Sequence, residues 1–250
     1  MVSNGAAQRP PKAAMLVAQR IVQDALRENL GPGDLLEPER TMLEKYQTGR
    51  GTLREALRLL EFQGVISLKP GPRGGPVLQN PDAAHLGSTL VLLMQLQSAP
   101  FRNIAEVRSA LEPMTSGLAA TRMTDDSLTE LRGTVEQMRG ELDDQYSFLD
   151  ANKRFHDIIA WGSGNTLFGY IIESLLGIMD GTRIGIDYPG YRRQAILKAH
   201  EEILVALEAR DPQASEARMR EHIEAYERYA ERKFPQLMGE TIPWDQRYFG

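Results

Sequence analysis

Apolar positions in the first eighty residues fall into three helical stretches followed by a short alternating pair. The first stretch predicts a helix from Ala13 to Leu30, stopped by Gly31-Pro32-Gly33. A short helix is expected from Glu37, with Pro38 in its first turn, to Tyr46, followed by a tight turn at Gln47-Thr48-Gly49. A third runs from Arg50 to Gln63, with Leu53, Leu57 and Leu60 on its buried face and Gly64 as its cap. Val65-Ile66-Ser67-Leu68 reads as a strand. A glycine-rich loop (Gly71, Gly74, Gly75) then leads to a return strand at Val77-Leu78. This order, three helices and a hairpin with a tight turn before the third helix, is that of a winged helix-turn-helix.

Beyond Gly71–Asp82 the pattern is helical almost to the end, in about seven segments. Ile104, Val107, Leu111, Met114 and Leu118 alternate steps of three and four, as do Leu128, Leu131, Val135, Met138 and Leu142. Single apolar stripes of this kind predict helices packed as an antiparallel bundle. The other segments are Leu86–Gln97, Ser147–Trp161, Leu167–Met179, Tyr191–Ala209 and Pro212–Phe234. The expected organisation is a tail (1–12), a winged helix (13–78), a linker with the first bundle helix (79–100), a helical domain (101–235) and a second tail (236–250). That last tail carries Trp244, Tyr248 and Phe249, and the pattern assigns it no place.

Charge sharpens this division. Met1–Leu78 holds 11 Lys and Arg against 8 Asp and Glu, and the remainder 18 against 26, giving +3 and −8 within a net charge of −5. A basic head on an acidic body suits nucleic-acid binding confined to the head. The chain has no cysteine, which excludes disulfides, thiolate zinc sites and cysteine nucleophiles. The longest apolar run, Leu90–Met94, is too short to span a bilayer, and the small, polar first residues lack the apolar core of a signal peptide. A cytoplasmic protein with no membrane partner is expected.

In the third helix, Arg50, Arg54 and Arg58 recur every fourth residue and share the face away from the leucines. Arginines at the start of such a helix can grip guanine edges bidentately or clamp phosphates. Thr52 offers a hydroxyl or a methyl, and backbone N–H groups near Gly49 and Gly51 favour a phosphate. Arg40 could hold the DNA backbone from the second helix, and Arg73 or Lys69 could reach a minor groove from the wing. The alternative is a solvated face neutralised by Glu55 and Glu61.

These residues resemble a known family. Gly33-Asp34-Leu35-Leu36-Glu37-Pro38-Glu39-Arg40, Arg50-Gly51-Thr52-Leu53-Arg54-Glu55-Ala56-Leu57-Arg58-Leu59-Leu60-Glu61 and Gly64-Val65-Ile66 are similar to the winged helix of GntR-family repressors. The resemblance implies that Arg40, Arg50 and Arg54 contact DNA, assisted by the wing near Gly71. Two positions depart from it. Gly49 stands where the family often has Ser or Thr, and Pro70 where some members have a base-reading His.

The second candidate chemistry is histidine. The chain has four, of which His85 lies near the linker and is read as incidental. His156, His200 and His222 fall on apolar stripes of the body. Asp211-Pro212 breaks the last two long helices, with Asp211 as cap of the second. His200 lies 11 residues before Asp211 and His222 lies 11 after it. In an antiparallel pair both sit roughly 16 Å from the turn, at ~1.5 Å rise per residue. Asn152 and His156, four apart on a third helix, face one way and could complete a site. Three imidazoles and an amide oxygen suit zinc, nickel or a similar divalent ion. Three separately satisfied core histidines remain the alternative at this point.

Asn152-Lys153-Arg154-Phe155-His156, Asn165, His200 and His222 resemble the all-helical FCD effector domain of the FadR subfamily of GntR regulators, over about Ile104–Ala230. Many such domains hold a divalent metal on three histidines and an acidic or amide residue. Asn152 stands where many have Asp, and Asp150, six residues before His156, is the rival acidic ligand. The family's effectors are often small carboxylates that complete the metal's coordination. Arg108 resembles an arginine that faces the effector pocket in the family; its alternative is an ion pair with Glu112 at i+4. Arg183, Arg192 and Arg193 are weaker candidates. The implied protein is a non-enzymatic regulator, a homodimeric repressor released from an inverted-repeat DNA operator by its effector. A metal-dependent enzyme, a metal sensor and a structural metal are the alternatives.

Overall fold

The structure is a computed structural model that describes residues 13–71, 74–80, 83–179 and 185–244; Arg73, Arg183, Tyr248 and Phe249 lie outside the described residues. The chain divides into two units, Met1–His85 and Leu86–Gly250.

In the first unit, α1 (Ala13–Arg27) buries Ala14, Val17, Ala18, Ile21 and Ala25, a single stripe at helical spacing. It ends earlier than Gly31. Asn29 takes a left-handed conformation at φ 54°, and the Leu30 N–H reaches back to the Ala25 carbonyl at 3.0 Å, so the last turn closes on Asn29. Helix α2 (Glu39–Tyr46) starts after Pro38, whose ψ of 146° is extended. The expected start at Glu37 fails because a residue before proline is driven out of the helical region. Helix α3 (Arg50–Phe62) buries Leu53, Ala56, Leu57 and Leu60. Gly64 follows at φ 70°, with the Val65 N–H on the Leu60 carbonyl at 2.9 Å, the expected glycine closure. Val65 is used in that closure, so strand β1 runs Ile66–Lys69 and pairs antiparallel with β2 (Gly75–Leu78), from Ile66 opposite Leu78 to Lys69 opposite Gly75. Leu35 adds a bridge to Val77.

The second unit is helical. Its long elements are α4 (Ala84–Leu96), α5 (Arg102–Arg122), α6 (Asp125–Gly140), α7 (Gln145–Gly162), α8 (Thr166–Ile178), α9 (Gly190–Glu208) and α10 (Pro212–Lys233). Four of these starts are capped by a side-chain oxygen that accepts a backbone N–H: Thr124, Asp144, Asn165 and Asp211. Leu131, Met138, Phe148, Phe155, Ile159, Ile203 and Met219 form the centre of one core.

Helix α6 buries its expected stripe. Helix α5 does not. Val107 and Met114 stand 42% and 40% exposed, while Arg108, Glu112, Thr115, Ser116, Ala119 and Ala120 are buried. The small residues explain this. A methyl at Gly117 would come within 3.2 Å of the Pro212 carbonyl oxygen, and the Ser116 hydroxyl donates to the Ser215 carbonyl at 3.2 Å. Helices α5 and α10 touch through small side chains, and that contact turns the aliphatic row outward.

The segment after Pro235 also packs in. Helix α11 (Pro235–Gly239) buries Met238, and Ile242 follows it into the core. The Phe101 N–H donates to the Glu240 carbonyl at 2.9 Å, and the Trp244 N–H donates to the Gln95 side chain at 2.8 Å.

Asp211→Ala is expected to destabilise the helical unit by about 1 kcal/mol through loss of the α10 cap. Both tryptophans, Trp161 and Trp244, lie in this unit. Denaturant unfolding followed by their fluorescence reads the loss directly, and an unchanged midpoint would show that the cap contributes nothing.

Candidate DNA-reading helix and metal centre

Helix α3 presents Arg50, Arg54 and Arg58 to solvent, opposite its buried leucines, with Thr52 half-buried at the first turn. Its N-terminus carries no acidic residue in the first turn and no side-chain cap. Gly49, the capping position, is extended, and a methyl at Gly49 or Gly51 would meet open space. Nothing within this unit therefore demands glycine there. The bare main chain leaves N–H groups directed at whatever approaches the helix end. The carboxylates beside the arginines are not those expected. Arg54 lies 3.7 Å from Glu39, and Arg40 lies 3.9 Å from Glu44 with its side chain 93% exposed. Glu61 instead accepts the Leu68 N–H. Such loose surface pairs contribute little and yield readily to a phosphate. Gly71, at φ 109°, makes the wing turn by accepting the Gly74 N–H at 2.9 Å. The ring of His85 lies against Gly64, where a methyl would come within 2.7 Å, so this histidine packs against the α3 closure.

In the helical unit, His156 from α7, His200 from α9 and His222 from α10 converge, all buried. The Nε2 atoms of His200 and His222 lie 3.2 Å apart, and those of His222 and His156 lie 3.3 Å apart. A tetrahedral ion with nitrogen ligands at ~2.0–2.1 Å requires nitrogens about 3.3 Å apart. The His200 ring stacks on Phe155, centroids 4.0 Å apart and planes 7° from parallel. Its Nδ1 is buried and has no hydrogen-bond partner. Asn152, one turn ahead of His156, is half-buried, while Asp150 is exposed.

The spacing gave no sign that Glu112 belongs to this centre. Its Oε2 lies 2.5 Å from His156 Nδ1, and its Oε1 accepts the Arg108 Nε–H. The Arg108 ion pair, weighed as one alternative for that residue, is present and buried. Arg108 also directs Nη1 at the Met179 sulfur, 3.3 Å away, and its guanidinium lies 5.9 Å from the Tyr226 ring centre. Arg192 lies 4.7 Å over Tyr229, with a buried Nε that has no hydrogen-bond partner among the described residues. Arg193 donates to the Leu142 carbonyl and so is tied to the scaffold.

Burial opposes the Glu112 charge, but Arg108 and then His156 outweigh it and hold the carboxyl far below the usual carboxylate range. Burial also opposes the Arg108 charge, and Glu112 more than restores it. Burial, with neighbouring imidazoles and Arg108, pushes His200 and His222 well below the ordinary histidine value of 6.5. Both are neutral near pH 7, the form that ligates a metal. A separate surface cleft of about 580 Å³, lined by Arg122, Arg154, Asp157, Trp161 and Glu173 among others, contains none of the expected site residues.

The family described as bacterial regulatory proteins, gntR family, matches residues 14–73, and the FCD domain matches residues 103–225. The HTH-type transcriptional regulator YcbG of Bacillus subtilis (strain 168) is 31% identical over 84% of this chain and 86% of its own length. The chain is a GntR-family regulator with an FCD domain. The HTH-type transcriptional repressor NanR of Citrobacter rodentium is 25% identical, over 85% of this chain and 83% of its own. The solved structure titled Streptococcus agalactiae GntR superposes with a TM-score of 0.72 at 25% identity, covering 87% of this chain and 100% of that one. This GntR-family protein is a DNA-binding transcriptional regulator, and its families and relatives are regulators rather than enzymes. Among the described residues no helix is long and apolar enough to cross a membrane.

The depressed histidines predict a pH dependence for the metal-free protein. Unfolded, His200 and His222 take up protons near 6.5; folded, they resist until lower pH. The unfolded state binds more protons below 6.5, so stability is lost as pH falls through that value. Glu112, held below the ordinary carboxyl value of 4.5, adds a loss only at still lower pH. The unfolding midpoint should hold between about pH 8 and 7 and drop from about 6.5 to 5. The double variant His200→Gln/His222→Gln should flatten that drop; an equal slope in both proteins counts against it.

Proposed function

We propose that this regulator is a repressor that binds an inverted-repeat operator as a homodimer and is released by a small carboxylate effector bound at a divalent metal, zinc or nickel. Residues 13–78 read DNA and residues 101–235 hold the effector. The observation that carries the effector half is the spacing of the three Nε2 atoms at 3.2 and 3.3 Å, the edge length of a tetrahedral nitrogen site. Asn152, half-buried one turn before His156 on α7, would supply the fourth donor.

All four donors in this set are neutral. A bound divalent ion keeps its full charge there, acts as a Lewis acid and favours an anion in its open position. Arg108 would receive the far end of that anion. Its Nε stays on Glu112, and Nη1 faces the Met179 sulfur, a weak acceptor that a carboxylate oxygen would displace. Arg192, with its buried Nε lacking a partner, is a second cation nearby.

On DNA, Arg50 and Arg54 read base edges or clamp phosphates, Arg40 holds the backbone, and Thr52 with the N–H groups at Gly49 and Gly51 receives a phosphate. The wing around Gly71 and Arg73 enters the adjacent groove. Two recognition helices about one DNA turn apart read the two half-sites. Release requires the effector to bind one state of the dimer more tightly than the other. The repressor named among the relatives supports repression as the sign of regulation.

Selection of genomic fragments by the purified protein should enrich one short inverted repeat. On that site Arg54→Ala should weaken binding about 5- to 150-fold, the 1–3 kcal/mol of a bidentate contact. Purely sequence-blind, salt-sensitive binding would overturn the operator reading. With zinc present, one member of a panel of small carboxylates should lower operator affinity at least about fivefold, and His200→Ala should abolish that response. An identical response in His200→Ala would remove the metal from the effector site.

A further inference from the structure

We propose that Glu112 is a positioning residue of the metal centre: its carboxylate locks His156 in the Nδ1–H tautomer and aims His156 Nε2 at the point where the three imidazoles meet. This rests on the metal reading above.

The two nitrogens of an imidazole lie on opposite sides of the ring, and in the neutral form one carries the proton and the other the lone pair. Which is which follows from the partner of each. At His156, Nδ1 faces Glu112 Oε2 at 2.5 Å and Nε2 faces His222 Nε2 at 3.3 Å. A carboxylate paired with a guanidinium accepts, so Nδ1 donates to it, and in the neutral ring that ligates a metal the lone pair is then on Nε2. Arg108 completes the arrangement from behind. It donates to Oε1, the other oxygen of the same carboxylate, and both side chains are buried. The guanidinium is the counter-charge beside Glu112 and fixes the plane of its carboxylate. The result is a line of contacts, Arg108 to Glu112 to His156, that ends on a metal-ligating lone pair.

His200 is oriented by different means. It stacks on Phe155, and its Nδ1 has no partner. The carboxylate therefore acts on one ligand in particular, rather than as a general stabiliser of the cluster. Carboxylates behind ligating histidines raise ligand basicity and fix ring orientation, and their loss weakens metal binding about 10- to 100-fold.

The test uses the full chain and zinc, with affinity read by competition against a chromophoric chelator. Wild type should bind zinc, and Glu112→Gln should bind about 10- to 100-fold more weakly. The amide is a poorer acceptor and can present its NH2 to Nδ1, which reverses the tautomer. Glu112→Gln leaves Arg108 buried without its counter-charge, so the double variant Arg108→Met/Glu112→Gln is made alongside it and should show the same loss. Histidine nitrogen NMR of metal-free wild type should place the His156 proton on Nδ1. A merely structural Glu112 would move stability and leave both the zinc affinity and the tautomer alone. Zinc affinity within twofold of wild type in either folded variant, or a proton on Nε2 of His156 in wild type, overturns the proposal. Failure of wild type itself to bind zinc is a separate outcome: it removes the metal reading and this inference with it.

Discussion

A buried ion pair organises the helical unit. Arg108 and Glu112 sit one turn apart on α5, both nearly inaccessible, in a unit whose buried side chains are mostly apolar. Burying two charges is expensive, and an apolar pair of similar volume would often be as stable. Their presence imposes requirements on everything around them. The carboxylate must have its lone pairs satisfied, which draws in His156. The α5 face carrying the pair continues as small residues, which lets α10 approach and brings His222 within reach. Loss of water first, then the neighbouring imidazoles and after them Arg108, keep His200 and His222 uncharged. A buried cluster of imidazoles thus adjoins one charged pair placed where charge is least comfortable.

The DNA-binding unit works by the opposite principle. Its outward arginines stay in water, Arg54 and Arg40 in loose contacts of 3.7 and 3.9 Å, while the hydrophobic stripe of α3 does the fixing. Three left-handed residues set the geometry of the elements around it: Asn29 after α1, Gln47 in the turn and Gly64 after α3. Rigid backbone with exposed cations is the arrangement a polyanion requires, since the cations must give up solvent and weak partners at little cost.

Much of this was legible in the sequence because it is local. Turn residues, caps and helical stripes announce the winged helix, and equal spacing about Asp211 brings His200 and His222 to one level, as their 3.2 Å approach reflects. What was not legible depends on contacts between elements. The stripe through Val107 and Met114 pointed outward because small residues on another face of α5 met α10. Glu112 looked like the partner of Arg108 alone; its second contact, to His156, crosses 44 positions and leaves no periodic trace. The segment after Pro235 has no pattern of its own because it is held by a bridge to Pro100 and single hydrogen bonds to α4.

The symmetry about Asp211 restricts how this chain can vary in length. Each arm of the α9–α10 pair counts the same number of positions to its histidine, and one residue turns a helix by about 100°. An insertion or deletion between His200 and Asp211, or between Asp211 and His222, swings one imidazole off the shared axis and shifts its level by about 1.5 Å. Point substitutions can be absorbed along these arms, but indels cannot. Length changes in this hairpin are tolerable only beyond the two histidines, so the stretch from His200 to His222 behaves as a gauge of fixed length within an otherwise adaptable bundle.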